Sequence, residues 1–197
     1  MNRFANMLET VPVPCRIFGT VLRPFSLGHH LLFTRMGLPY ANNPQAAAYA
    51  DKFMQAVFIC AHSYEDNLEG QLDGTWAVMC EAWMQRVKDT NPDYAAAGVL
   101  FQAHLVEGYR MAPVWQHAKT SAISLSSPWE ELIRVRLVNS GFTLSEVMNG
   151  YLPALWYDYF TVMELEMLAH CTDANSWKKI FYTIEDAIED EKAKGAA

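Results

Sequence analysis

The chain has 197 residues, of which 51% are hydrophobic and 19% are charged, and this composition excludes a largely disordered or low-complexity protein. Its 15 Lys and Arg residues against 22 Asp and Glu residues give a formal net charge of -7 at pH 7. Because a nucleic-acid binder neutralises phosphates with a basic surface, this balance argues against a nucleic-acid partner. The length predicts a single domain with a core of its own.

The cysteines and the N-terminus bear on the location of the protein. Cys15, Cys60, Cys80 and Cys171 are widely spaced and include no CxxC pair, which is typical of reduced thiols in a cytosolic protein. No stretch of the sequence has the roughly 20 consecutive apolar residues that span a bilayer. Residues 1–10 lack the apolar core of a secretory signal. We therefore expect a cytoplasmic protein without a membrane partner.

Residues 1–42 are predicted to form a Pro-rich extended N-terminal arm followed by a short helix. Five of the nine prolines lie between Pro12 and Pro44. Proline removes a backbone donor and disfavours helix in the residue before it, so residues 11–24 should be extended, with a short pairing over residues 16–22. Ser26 is the expected N-cap of a helix over residues 27–36 that ends at Gly37.

Residues 43–197 are predicted to form a helical domain that packs with the N-terminal part as a single domain. Apolar residues recur there at helical spacing, and breaks at Gly, Pro and Asn separate the helices. The fold class is therefore all-α, an irregular bundle of about six or seven helices. The expected helices cover residues 44–69, 76–90, 93–110, 128–139, 143–149, 152–170 and 175–194, and residues 111–127 form a loop.

The helical spacing also predicts which side chains point inward. The second of these helices should bury Trp76, Met79, Cys80, Trp83, Met84 and Val87, and the third should bury Leu100 with its neighbours. The six Trp and ten Met residues are thus interpreted mainly as core. A second interpretation is that some of them line a groove for a partner, because methionine-rich surfaces adapt to peptide helices.

Motifs that carry chemistry are missing from the sequence. It has no GxSxG elbow, no GxxxxGK[ST] loop and no GxGxxG after a strand, so we assign no catalytic residue and no cofactor. His29 and His30 are adjacent and diverge on a helix, which disfavours a shared metal. The pairs that share a helix face are interpreted as surface or capping groups, not metal ligands; they are His62 with Glu65, His104 with Glu107, and Glu166 with His170.

Two segments resemble small all-helical proteins encoded among the tail genes of long-tailed bacteriophages. The first runs from Arg23-Pro-Phe-Ser-Leu-Gly-His29 through Leu31-Leu32 to Gly37-Leu-Pro-Tyr40. The second is Gly141-Phe-Thr-Leu-Ser-Glu-Val147 followed by Ala154-Leu-Trp-Tyr-Asp-Tyr159 and Glu164, and a third, shorter piece is Glu107-Gly-Tyr109 with Pro113. Together these segments cover about a quarter of the chain.

The resemblance implies a non-enzymatic tail assembly chaperone. Such a protein binds the tape-measure protein, or another phage tail protein, in the host cytoplasm and keeps its apolar helices soluble, as a monomer or a homo-oligomer. An amphipathic helix docks into an apolar groove through burial of about 25 cal/mol for each Å². The expected partner-binding residues lie in the first segment and are Phe25, Leu27, His29, Leu31, Leu32 and Tyr40.

Two alternatives stay open on the sequence alone. The first is a structural component of the virion tail or neck, in which residues 11–24 dock onto a neighbouring subunit. The second is a helical metalloprotein or enzyme that uses His29, His30 or the pair of Glu166 and His170.

Overall fold

Nearly all regular structure in this computed structural model is helical, and the model describes residues 11–110 and 128–169, with side chains up to residue 162. The eight α-helices in this part of the chain confirm the predicted all-α class. Their bounds are α1 Leu27–Arg35, α2 Ala50–Ala61, α3 Tyr64–Asp73, α4 Thr75–Asp89, α5 Tyr94–Gly108, α6 Trp129–Asn139, α7 Leu144–Asn149 and α8 Leu152–Ala169. The loop expected over residues 111–127 and the helix expected from residue 175 lie outside the described residues.

The short pairing expected in the arm is an antiparallel hairpin of β1, Cys15–Ile17, and β2, Thr20–Leu22. Phe18 and Gly19 form its two-residue turn, and both have positive φ, 51° and 75°. This conformation matches the twist of a hairpin but is strained for a bulky side chain. The ring of Phe18 lies 5.8 Å from that of Phe53 and 5.6 Å from that of Tyr94, and these contacts offset the strain.

The hairpin is fixed to the chain's own helices. The amide of Arg23 donates to the carbonyl of Cys60 at 2.8 Å, and the amide of Val13 donates to Oε1 of Glu107 at 3.2 Å. Residues 11–24 thus pair within their own chain, and the hypothesis that they also dock onto a neighbouring subunit stays a prediction.

One predicted helix is two helices. The segment expected to run unbroken over residues 44–69 begins at Ala50, ends at Ala61 and restarts at Tyr64. Ser63 caps the new helix: its side chain accepts from the amide of Asp66, and the Asp66 carboxylate accepts from the Ser63 amide. This reciprocal capping box provides acceptors for backbone amides at the start of α3 that have no partner within the helix. It therefore favours the start of a new helix at this position. Gly70 does not end the helix; it lies within α3 against Trp76.

The core surrounds α1, which contacts α2, α3 and α7. Two glycines allow these close approaches. A Cβ on Gly28 would lie 2.7 Å from the Met148 carbonyl oxygen, and a Cβ on Gly108 would overlap the Phe25 ring. The start of α8 joins the same core, because the Leu152 amide donates to the Phe25 carbonyl at 2.9 Å.

The chain divides into two compact units, residues 1–158 and 159–197. The first holds the hairpin, helices α1 to α7 and the beginning of α8. The boundary expected at residue 42 falls inside this unit, where the hairpin and α1 contact α2.

Candidate functional site

The six predicted partner-binding residues are mostly enclosed by the protein itself. Phe25 and Leu27 are 0% exposed, and the others apart from half-buried Leu31 are at most 3% exposed: His29, Leu32 and Tyr40. A partner needs accessible atoms, so this assignment is corrected. Five of these side chains hold the fold together and do not form a surface. The Phe25 ring, for example, lies 4.7 Å from that of Tyr109 and 5.6 Å from that of Phe33.

His29 closes the N-terminus of α1 and ties it to the end of α2. Its Nδ1 accepts from the amide of Ser26 at 3.3 Å, and its Nε2 donates to the carbonyl of His62 at 2.9 Å. Burial lowers the pKa of His29 to about 4, so the ring is neutral at pH 7. Both ring nitrogens are occupied, which leaves His29 no lone pair for a metal ion.

His30 joins three elements through a buried relay. Its Nε2 donates to Oε1 of Glu130 at 2.8 Å, and its Nδ1 accepts from the hydroxyl of Tyr109 at 2.8 Å. The ring also lies 4.8 Å from that of Trp129. Burial, with smaller effects from Cys60 and Glu130, raises the pKa of Tyr109 above its usual range.

A carboxylate, an imidazole and a hydroxyl are hydrogen-bonded here in that order. The same order occurs in enzymes where a carboxylate orients an imidazole base that activates a hydroxyl nucleophile. His30 is only 4% exposed, whereas Tyr109 and Glu130 are partly exposed. Neither of the two grooves described below is lined by His30, Tyr109 or Glu130. The relay holds α1 to the end of α5 and to the start of α6 through hydrogen bonds at both nitrogens of His30.

A second buried histidine is less well satisfied. His104 is 7% exposed, and its Nε2 has no hydrogen-bond partner among the described residues. Burial lowers its pKa to about 4, although nearby Glu107 opposes this shift. The surface role expected for the pair of His104 and Glu107 is thus wrong for the histidine. The carboxylate of Glu107 accepts from the hydroxyl of Tyr151 at 3.0 Å.

The metal hypotheses find no support in the described residues, where no three His, Cys, Asp or Glu side chains are placed to hold an ion. His62 caps the end of α2, with Nδ1 donating to the carbonyl of Phe58 at 2.8 Å. This agrees with the capping role expected for it. His170 lies outside the described residues, as does the side chain of Glu166. No described helix is long and apolar enough to cross a bilayer.

Helix α4 carries the exposed apolar surface that the helical spacing assigned to the core. Met79, expected inward, is 51% exposed, and Val78 beside it is 68% exposed. Ala82 follows at the same face, since residues three and four apart are neighbours on a helix. On α5, Leu100 was also expected inward and is 51% exposed.

Next to this face lies a groove of about 320 Å³ between α2, α4 and the hairpin. Its walls are aromatic and held in place: the Trp83 indole N–H donates to the Thr20 hydroxyl at 3.2 Å, and the Phe58 ring lies 5.7 Å from Trp83. We call it the apolar groove. Its lining residues are Thr20, Phe58, Ala61, His62, Met79, Ala82, Trp83 and Arg86.

A second groove, of about 330 Å³, lies on the other side of α4, against α2. We call it the polar groove. It is lined by the ion pair of Asp51 and Lys88, by Glu81 and by Gln55, whose buried Oε1 has no partner among the described residues. In the described part of the chain, two acidic groups and one basic group line the polar groove, whereas Arg86 is the one permanently charged residue that lines the apolar groove.

This surface was not predicted, because the helical spacing placed Met79 in the core. The signal that could have located it is Val78 beside Met79. A single inward stripe on α4 cannot contain both of these residues and Cys80, which is 1% exposed. Met79 and Trp83 line the apolar groove, and the interpretation of such residues as a groove for a partner stays a prediction.

Comparisons of the chain with protein-family models, with curated proteins and with solved structures found no match. The grooves and the buried histidines are therefore interpreted from their own chemistry.

Proposed function

We propose that this protein is non-enzymatic and binds an amphipathic helix of a partner in the apolar groove. In the context that the two sequence segments suggest, the partner is a phage tape-measure protein, kept soluble during tail assembly. The phage setting rests on that resemblance, and the mode of binding rests on the surface of α4.

The observation that carries the proposal is the exposed apolar face of α4 beside a groove with fixed aromatic walls. Met79 and Val78 are more than half exposed, and the adjoining Trp83 is held by Thr20. Burying apolar surface gains about 25 cal/mol for each Å². A preformed wall adds to affinity, because little side-chain freedom is lost on binding.

The decisive experiment is co-expression with the long helical protein that the proposal expects a neighbouring gene to encode, read by the solubility of that protein and by its co-purification. Met79→Asp should reduce capture about tenfold or more, because a carboxylate is then desolvated in the groove. Leu100→Asp is the matched control: Leu100 is also 51% exposed but lies on α5, outside the groove. Both variants should fold, because exposed substitutions change stability little.

If the unmodified chain neither solubilises nor retains the long helical protein, the chaperone proposal fails. Mass spectrometry of purified particles then tests the structural alternative, because a virion component stays in the finished particle and an assembly chaperone does not.

A further inference from the structure

The charged residues that line the two grooves differ, and this difference indicates the charge of the partner helix. The chain carries a net charge of -7, yet among the described residues Arg86 is the one permanently charged side chain on the lining of the apolar groove. Its Nε donates only weakly to the Ala82 carbonyl of its own helix, at 3.4 Å. Arg86 forms no ion pair with an acidic residue in the part of the chain that the structure describes.

We infer that the apolar groove takes an amphipathic helix that carries a carboxylate one turn beyond its apolar anchors, and that Arg86 binds this carboxylate. The inference rests on the proposed function and deepens it by naming the chemistry of the partner helix. Arginine presents a planar fork of donors that matches a carboxylate in two parallel hydrogen bonds. The apolar anchors then lie against Phe58, Met79 and Trp83.

The polar groove provides the contrast that makes this assignment specific. Asp51 and Glu81 line it with Lys88, and Lys88 already pairs with Asp51 at 3.2 Å. An acidic helix would meet the carboxylate of Glu81 there, which forms no ion pair within the described residues. Juxtaposed like charges disfavour a wrong binding mode, so the same partner is directed to the other side of α4.

The test uses two synthetic helical peptides with Leu at positions i, i+3, i+4 and i+7. The first peptide has Glu one helical turn before and one helical turn after the four Leu residues. The second peptide has Lys at both of these positions. Either direction of the peptide in the groove therefore places a charged residue near Arg86. The dissociation constants are measured with the full chain by fluorescence anisotropy. The Glu peptide should bind about tenfold more tightly, although the overall negative charge of the protein favours the Lys peptide.

Arg86→Glu should reverse this preference, and 1 M salt should reduce it in the unmodified chain, because exposed charges are then screened. Lys52→Glu is the matched control, with the same change of charge on an exposed residue that lines neither groove. It should keep the preference for Glu. Met79→Asp should weaken both peptides.

The inference is overturned if Arg86→Glu leaves the preference unchanged, if Met79→Asp leaves both affinities unchanged, or if neither peptide binds. These results are separable from the fate of the proposed function. Capture of the long helical protein without peptide binding would keep the function and reject this groove chemistry. Peptide binding without capture would keep the groove chemistry and reject the assembly role.

Discussion

The imidazole of His29 donates from Nε2 to the carbonyl oxygen of His62, 33 residues further along the chain, at 2.9 Å. The same carbonyl lies 3.5 Å from the amide nitrogen of Asn67, which donates at 2.9 Å to the Ser63 carbonyl. The residues between α2 and α3 are thus bound from both sides by side chains whose donors are neutral at pH 7. The break between these helices is therefore stabilised by specific side-chain hydrogen bonds.

The buried histidines predict sensitivity to acid. His29 and His104 have pKa values of about 4 when folded, against an ordinary value of 6.5. Between these values the unfolded chain binds more protons, so the contribution of the two histidines to the free energy of unfolding falls as the pH falls from 6.5 to 4 and is constant below. Each histidine contributes on the order of 3 kcal/mol to this loss. Urea titrations at pH 7, 5.5 and 4 measure it.

His104→Phe separates one of these contributions from the other. The substitution removes a titrating ring and a buried nitrogen without a partner, and it keeps the aromatic contacts with Phe25 and Phe101. We expect a gain of about 1 kcal/mol at pH 7, because an unsatisfied buried polar atom is removed. The gain should be larger at pH 5. Equal gains at both pH values would contradict the lowered pKa.

Two glycines of α5 should respond to alanine in opposite directions. A Cβ on Gly108 would overlap the Phe25 ring, so Gly108→Ala should destabilise the protein by about 1–3 kcal/mol through overpacking. Gly98 has no atom within 4 Å of its Cβ position, and Gly98→Ala should stabilise by up to about 1 kcal/mol. Thermal denaturation compares the two, and the same sign for both would be inconsistent with this packing.

The His30 relay predicts a measurable coupling between Tyr109 and Glu130. Tyr109→Phe leaves Nδ1 of His30 without its donor and should cost about 1–3 kcal/mol. In a double-mutant cycle with Glu130→Gln, the two effects should be non-additive by at least about 0.5 kcal/mol, since both act through His30. Tyr94→Phe is the control, because that hydroxyl makes only a 3.9 Å contact with the Met54 sulfur. Additive effects would argue that the relay does not act as a unit.

The capping box at Ser63 predicts a local loss of stability. Ser63→Ala removes the acceptor for the Asp66 amide, and loss of an N-cap costs about 1 kcal/mol. Hydrogen exchange of the first turn of α3 should accelerate while that of α6 does not. Ser140→Ala, which removes an exposed hydroxyl bonded to the Arg136 carbonyl at the end of α6, serves as the comparison for stability. Equal losses of stability for the two variants would contradict the role of Ser63 as a stabilising N-cap.

The helix ends were predictable because their signals are local. Ser26, Thr143 and Pro128 each start the helix that the sequence assigned to them, since caps act on their own first turn. The capping box of Ser63 and Asp66 is the same kind of local signal, but the break before it was not predicted because Gly70 is a residue type that commonly ends a helix. Gly70 is retained inside α3 for its close contact with Trp76.

The exposed apolar face of α4 could not be located in the same way, because the exposure of a side chain depends on residues that are distant in the sequence. Phe25 and Leu27 lie in a segment with the composition of a docking element. They are buried because Gly108 and α7 allow other helices to approach them. Met79 has the spacing of a core residue, yet the neighbours that would cover it are not supplied by the described part of the chain. Periodicity shows which residues share a helix face and does not show what covers that face.

The His30 relay also has a consequence for engineering. Tyr109 and Glu130 bind opposite nitrogens of one imidazole, so the end of α5 and the start of α6 are both held to α1 by a single side chain. Once both ends of a connection are anchored, each doubling of its length costs only about 0.6 kcal/mol of closure entropy. A fluorescent or affinity module inserted between these two anchors, where the sequence predicts a loop, should therefore cost little stability as long as His30 keeps both hydrogen-bond partners.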